Sequence, residues 1–296
     1  MISGTRTTPG IVSRAMTDGL ESNLDRLRRL QEQISSGRVV NRPSDSPVAA
    51  VASMQIRSDR TRTTQYSRNA DDGRGWLNTA DTALTSSLSS VGRVRELLGQ
   101  SLSGAISPEA RNAMAQEVES LRQGVVNLAN TRYLGRPVFA GTAGTDDAFD
   151  TAGNYLGDNG VVQRSVAPGA SVQVNTTGPT AFGSGPDALF SVLGDIVTHL
   201  QNNDDAGLHA DLTRLDKAAS TVQNALGEVG ARYNRVEAMQ NAAASKLVTL
   251  TDQLSATEDI DLPKTIMELQ LQQTAYQAAL GSTAKVIQPS LMDFLK

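Results

Sequence analysis

The side chains that could do chemistry in this 296-residue chain are few. His199 and His209 are its only histidines, and cysteine is absent. Ten residues apart, the imidazoles cannot share a helix face at i, i+4, and no H-E-x-x-H surrounds them. Both read as surface histidines, and no metal site is expected. Neither G-x-x-x-x-G-K-[ST] nor G-x-G-x-x-G occurs, so no phosphate cradle is encoded. Gly183-Ser184-Gly185 lacks the extra residue on each side of serine that a nucleophile elbow needs. Asp158-Asn159-Gly160 has the look of a calcium-loop turn without its other acidic ligands, so a tight turn is expected. Arg57, Arg60, Arg62, Arg68 and Arg74 could meet phosphate. Only Tyr66 interleaves with them, and Asp59, Asp71 and Asp72 intervene, so the better reading is a charged face toward protein or solvent. Asn175-Thr176-Thr177 matches a glycosylation sequon too short to carry weight. The expectation is a chain with no catalytic, cofactor-binding or metal-binding residues, and not an enzyme.

What the sequence does contain is helix after helix with apolar residues at alternating spacings of three and four. Leu20, Leu24, Leu27, Gln31 and Ile34 form such a seam, predicting a helix from about 11 to 36 that Gly37 stops. Asn41-Arg42-Pro43-Ser44-Asp45 follows, and Ser46-Pro47 supplies an N-cap and first-turn proline for a second helix to about Arg68. Val48, Val51 and Ile56 give that helix only a weak face. A further helix carries Leu77, Ala80, Leu84, Val91, Val94 and Leu98, and Ser107-Pro108 opens another through Val118, Leu121, Val125 and Leu128. Helices joined by so short a loop should lie antiparallel.

The pattern changes near Leu134. Ten of the 25 glycines fall between Gly135 and Gly185, and Ser171–Asn175 alternates after Ala167-Pro168-Gly169, predicting a strand–turn–strand unit in a small β-rich insertion. Beyond it, the three-four spacing runs from Leu212 to Leu254, which as one helix would extend about 65 Å at about 1.5 Å per residue. Asp261-Leu262-Pro263 breaks it, and a last helix carries Ile266, Leu269, Gln273, Tyr276, Leu280, Thr283 and Ile287. Two end helices, each set off by a proline-containing break, cannot bury their seams alone. They should pack on each other or on other subunits.

Composition agrees. Aromatics are 4% and apolar residues 39%, thin for a thick globular core but suited to helices that each bury a stripe. No apolar run is long enough to cross a membrane, and the N-terminus has no secretory h-region. Net charge is −4, but residues 1–68 carry eleven Arg against six acidic groups, whereas residues 136–260 carry seven basic and fifteen acidic groups. Either the basic part meets the acidic part, within or between subunits, or the two are separate solvated surfaces. The fold class is therefore mainly α: an elongated antiparallel helical bundle or coiled coil, both termini together, with a small inserted β-rich domain.

The stretch LQEQISSGRVVNRPSDSPVAAVAS at Leu30–Ser53 resembles the N-terminal signature of the bacterial flagellin superfamily. Its Asn41–Pro47 string is most similar to the hook–filament junction branch, the FlgL type. Arg132–Thr142 is similar to the stretch that ends the outgoing helices of that branch, with Gly135-Arg136-Pro137-Val138 departing from the usual Tyr-Leu-Phe-x-Gly. Arg232, Asn234 and Glu237 fall in a match to the superfamily's Gly-x-Arg-x-Asn-x-x-Glu, and Asp261–Leu295 resembles its C-terminal helix. Val91–Gln100, with Arg93 and Leu97, resembles a flagellin segment read by an innate immune receptor, though contacts between rods and subunits are the favoured role.

The resemblance implies a structural protein exported unfolded through the flagellar type III apparatus and secreted to the extracellular hook–filament junction. It implies a terminal-helix assembly domain (1–40 plus 258–296), a central rod domain (41–135 plus 189–257) and a β-rich outer domain (136–188). Assembly would use Leu20, Leu24, Leu27, Ile34, Ile266, Leu269, Tyr276, Leu280, Ile287, Leu291, Phe294 and Leu295. Asn41, Arg42, Pro43 and Asp45 would touch neighbouring subunits at the joint. Implied partners are copies of the chain, flagellin, the hook-proximal junction protein and a FlgN-type export chaperone, with no nucleic acid, membrane insertion or cofactor. The alternatives are flagellin itself and, in another class, a helical adhesin or scaffold with a β-rich binding tip.

Overall fold

The structure, a computed structural model, describes residues 9–104 and 106–287. Leu291, Phe294 and Leu295 lie outside the described residues, as does the side chain of Ile287. The chain is mainly helical: α1 Pro9–Ser36, α2 Pro47–Leu102, α3 Pro108–Ala129, α4 Gly178–Phe182, α5 Leu189–Asn202, α6 Asp205–Glu258 and α7 Leu262–Ile287. Two antiparallel hairpins interrupt them, β1 Arg132–Tyr133 with β2 Arg136–Pro137, and β3 Gln163–Ala167 with β4 Ala170–Gln173. Among the described residues no helix is long and apolar enough to cross a membrane.

The chain divides into two compact units, residues 1–61 with 248–296, and residues 62–247. The boundaries fall inside α2 and α6.

In the 62–247 unit α2 and α6 run antiparallel: Gln240 Nε2 donates to Asp71 at 2.5 Å and Arg95 pairs with Asp216 at 3.3 Å. Arg93 Nε reaches Glu117 on α3 at 2.8 Å, and Arg111 Nη1 reaches Asp205 at the start of α6 at 2.6 Å. One apolar cluster joins all these elements. It includes Leu77, Leu84, Val94 and Leu98 from α2, Val118 and Val125 from α3, Leu193 and Ile196 from α5, and Leu215, Val222 and Val229 from α6. The β-rich segment shares this core through Val166, Val172 and Val174. Its Phe149 and Phe182 make tilted or edge contacts with each other and with Phe139, Tyr155 and Phe190 at 4.8–5.6 Å.

Several local expectations meet a different outcome. The two helices expected before and after residue 70 are one 56-residue helix. Gly73 and Gly75 do not stop it, because they admit neighbours: a Cβ at Gly73 would meet Val174 Cγ1 at 2.9 Å, and one at Gly75 would strike the Tyr133 ring. Helix α5 was not expected as a separate element. It ends at Asn203, in the left-handed region at φ +56, before α6 begins. His199 is half-buried rather than a surface group: its Nδ1 lies 2.6 Å from the buried Asp211, linking α5 to α6. His209 is exposed.

The expected turn at Asp158 is present. Its carboxylate accepts from Thr142 N at 2.6 Å, Thr142 Oγ1 at 2.8 Å and Gly160 N at 2.9 Å. The Thr142 and Gly160 amides hold it below the usual carboxylate range. The Asn175 amide of the sequon is buried and engaged, accepting from Val162 N and donating to Gly160 O, each at 2.8 Å.

Candidate assembly surface

In the 1–61/248–296 unit, α1 and α7 lie antiparallel. Gln272 Nε2 donates to Asn23 Oδ1 at 3.0 Å, and at the far end Ile260 N donates to Gly37 O at 3.2 Å. Each helix turns a four-three stripe of less exposed residues inward: Met16, Leu20, Asn23, Leu27, Leu30 and Ile34 on α1, and Thr265, Leu269, Gln272, Tyr276, Ala279 and Thr283 on α7.

This seam differs from the expected one. On α1 the stripe takes Leu30, only 8% exposed, and leaves Gln31 outside. On α7 it keeps Leu269 and Tyr276, but Ile266 and Leu280 face solvent. The two heptad phases share positions 269, 276 and 283, so the spacing fits both, and packing selects the more polar one. As a result α7 buries Thr265, Gln272 and Thr283 while exposing Ile266, Met267, Leu271 and Leu280. Leu271 is 72% exposed and Met267 64%. On the first turns of α2 in the same unit, Val48, Val51 and Met54 are exposed too. A helix pair that hides amides and hydroxyls while exposing leucine and methionine offers its apolar surface to something outside itself.

The joint between α1 and α2 is built by short-range chemistry. Gly37 takes φ +71, and its N–H donates to Gln33 O at 2.8 Å, ending α1 with a left-handed cap. Asp45 Oδ2 accepts the backbone amides of Asn41 at 3.1 Å and Arg42 at 2.8 Å, which closes the loop on itself. Arg42 Nη2 reaches Glu32 at 3.2 Å. Pro43 is exposed at the tip. Ser46 Oγ accepts Ala49 N at 3.3 Å, the expected N-cap, with Pro47 opening α2.

The two joints are one structure. Arg38 and Asp259 form an antiparallel bridge, and Val39 N donates to Glu258 O at 2.6 Å. Glu258, 5% exposed, takes both arms of Arg57, at 3.0 Å from Nε and 2.6 Å from Nη2, with Arg38 Nε 3.7 Å away. The hydrogen bonds from Arg57 hold the Glu258 carboxyl below the usual carboxylate range, against the opposing effect of burial. Sequence reasoning read Arg57 as part of a charged face and did not single out Glu258. The unequal charge of residues 1–68 and 136–260 was the available signal, and this pair joins those two segments within one subunit.

The rod residues lie in the 62–247 unit. Leu97 is buried in the core beside Leu98. Arg93 pairs with Glu96 and Glu117 at 3.2 and 2.8 Å. Arg232 donates to Asn175 O at 2.8 Å and pairs with Glu228 at 3.0 Å, tying α6 to the β-rich segment. Asn234 and Glu237 are exposed. Among the described residues, no group of three His, Asp or Glu side chains is arranged to hold a metal.

Residues 10–144 match the bacterial flagellin N-terminal helical region. The N-terminal part of the chain is thus similar to that of flagellins, and its helices pair antiparallel within each unit. It is 26% identical to flagellar hook-associated protein 3 of Escherichia coli K12, over 84% of this chain and 86% of that protein. It is also 26% identical to the flagellin of Bacillus subtilis 168, over 91% of this chain and 92% of that one. Among solved structures, a putative flagellar hook-associated protein from Vibrio parahaemolyticus shares the fold. Its TM-score is 0.67 at 21% identity, with 73% of this chain and all of that chain covered. The chain therefore resembles hook-associated protein 3 along most of its length.

Proposed function

We propose that this chain is a structural junction protein of the bacterial flagellum, joining hook-side protein to the flagellin filament through its paired terminal helices. The observation that carries the proposal is the inverted α1–α7 pair, with Gln272 and two threonines inside and Ile266, Met267, Leu271 and Leu280 outside. In an isolated chain that apolar surface stays wet. Between copies it is buried, and each fully buried large apolar side chain contributes about 1.5–3 kcal/mol. The likeness to hook-associated protein 3 over most of both chains favours a junction over the filament itself. Flagellin remains the second reading, because a flagellin matches over a comparable length.

On this proposal α1 and α7 form the inner tube of an extracellular assembly, together with Leu20, Leu24, Leu27, Ile34, Leu269 and Tyr276 at their contacts. Asn41, Arg42, Pro43 and Asp45 at the joint meet a neighbouring subunit. The partners are further copies, flagellin and the hook-proximal junction protein, and a FlgN-type chaperone covers the end helices before export. The three-part division, with residues 136–188 as the outer domain, belongs to the same proposal. The role is mechanical, without catalysis. A deletion strain tests it. Cells lacking this chain should release flagellin as unassembled monomer while still making hooks. Filaments of normal length on such cells would overturn the junction role.

A further inference from the structure

The α1–α7 seam contains a feature that its leucines do not require. Gln272, 8% exposed, directs its side-chain amide across the seam to Asn23, reaching the side-chain oxygen at 3.0 Å and the main-chain oxygen at 3.3 Å. The other polar residues of the α7 stripe behave differently. Thr265 Oγ1 donates to Asp261 O and Thr283 Oγ1 to Ala279 O, each at 2.8 Å, so both hydroxyls are satisfied within their own stretch of chain. They would be equally satisfied in any register. The Asn23–Gln272 contact would not.

An antiparallel helix pair with a four-three stripe can slip by seven residues and still face stripe to stripe. A slip one way would set Gln272 against Leu30 and Asn23 against Ala279. A slip the other way would set Asn23 against Thr265 and Gln272 against Met16. Each leaves a buried amide facing groups that do not complete its hydrogen bonds, and that is costly. Leucine-on-leucine contacts around it penalise a slip much less.

We infer that the Asn23–Gln272 pair, acting with the backbone bridge at the joint, sets the register of α1 against α7, and thereby fixes which apolar residues of α7 stand outward for a neighbouring copy. The consequence for assembly rests on the junction reading above; the register itself does not. A polar pair at this place weakens the helix pair relative to leucine and makes one alignment preferable, the known use of a buried asparagine in a coiled-coil seam.

The absence of cysteine allows a direct test. The register set by Asn23–Gln272 and Gly37–Ile260 brings Leu27 opposite Leu269, and a seven-residue slip brings it opposite Tyr276. Leu27→Cys is combined with Leu269→Cys in one chain and with Tyr276→Cys in another. Disulfide yield is then compared in the purified protein and in isolated flagella. With Asn23 and Gln272 intact, the 27/269 pair should outpace the 27/276 pair at least about fivefold. Adding Asn23→Leu with Gln272→Leu should reduce that preference at least about twofold, the Arg38–Asp259 bridge at the joint holding the remainder. Exchanging the residues, Asn23→Gln with Gln272→Asn, should restore the original preference. An unchanged preference in the double-leucine chain would overturn the inference. A register-specific yield in a chain that fails to join flagella would leave it standing and count against the junction role instead.

Discussion

The two compact units of this chain use similar helices to opposite ends. In the 62–247 unit the leucines, valines and phenylalanines of α2, α3, α5 and α6 are removed from water by one another, and the β-rich segment closes over them. Among the described residues of the 1–61/248–296 unit, Leu30 and Leu250 are the buried large apolar side chains. That unit contributes eleven of the fourteen exposed large apolar side chains among the described residues. Helix propensity does not separate the helices of one unit from those of the other, since all of them form. They differ in whether the apolar stripe finds its partner in the same chain. A stripe buried within the chain stabilises the monomer. A stripe left outside does nothing for the monomer and makes the neighbour part of the fold.

The contrast can be broken most severely at Phe182. Its ring meets Phe139, Phe149 and Phe190, so Phe182→Ala should cost about 3–5 kcal/mol and lower the melting temperature of the 62–247 unit. A melt unchanged by that substitution would mean that the core is not as closely packed as the contacts indicate.

Next in size is Glu258→Gln at the joint, expected to cost about 1–3 kcal/mol, discounted because Arg57 is partly exposed. Its pH dependence has a definite sign. A carboxylate held below its unfolded value of about 4.3 stabilises the fold above that pH, and the contribution is lost as pH falls through the folded value. Wild type and Glu258→Gln should therefore differ in chemical denaturation at neutral pH and converge in acid. A gap that widened in acid would contradict the paired geometry.

Gly37→Ala is smaller. No atom lies within 4 Å of the added methyl, so the cost is that of forcing alanine to φ +71, about 1 kcal/mol. Hydrogen exchange at the end of α1 should report it as local fraying.

The smallest effect on folding is the most informative for function. Leu271→Ala and Met267→Ala should change the monomer melt by no more than about 0.5 kcal/mol, yet reduce incorporation into flagella. A large loss of monomer stability would mean that these side chains are already buried within the chain.

Much of this was legible along the sequence because it is decided by near neighbours. Ser46-Pro47 and Ser107-Pro108 open helices where their side chains and fixed φ angles require. Gly37 closes one for the same kind of reason, and Pro168-Gly169 turns the β3–β4 hairpin. The resemblance to flagellins rested on such local strings as well. The misreadings share a cause. The helix expected to end at about Arg68 runs on through Gly73 and Gly75, where Val174 and Tyr133, about a hundred and about sixty residues further on, need the space. Glu258 is an ordinary glutamate until the joint brings Arg57 and Arg38 to it.

Periodicity established that the end helices carry apolar stripes, and that the chain turns at residues 37–46 and again near 261. It could not choose between two heptad phases on α7 that share Leu269 and Tyr276. That choice depended on which side chains meet across the seam, where Gln272 finds Asn23 and Leu271 is left facing water. Spacing along one helix repeats identically in either phase, whereas a hydrogen bond between helices exists in only one.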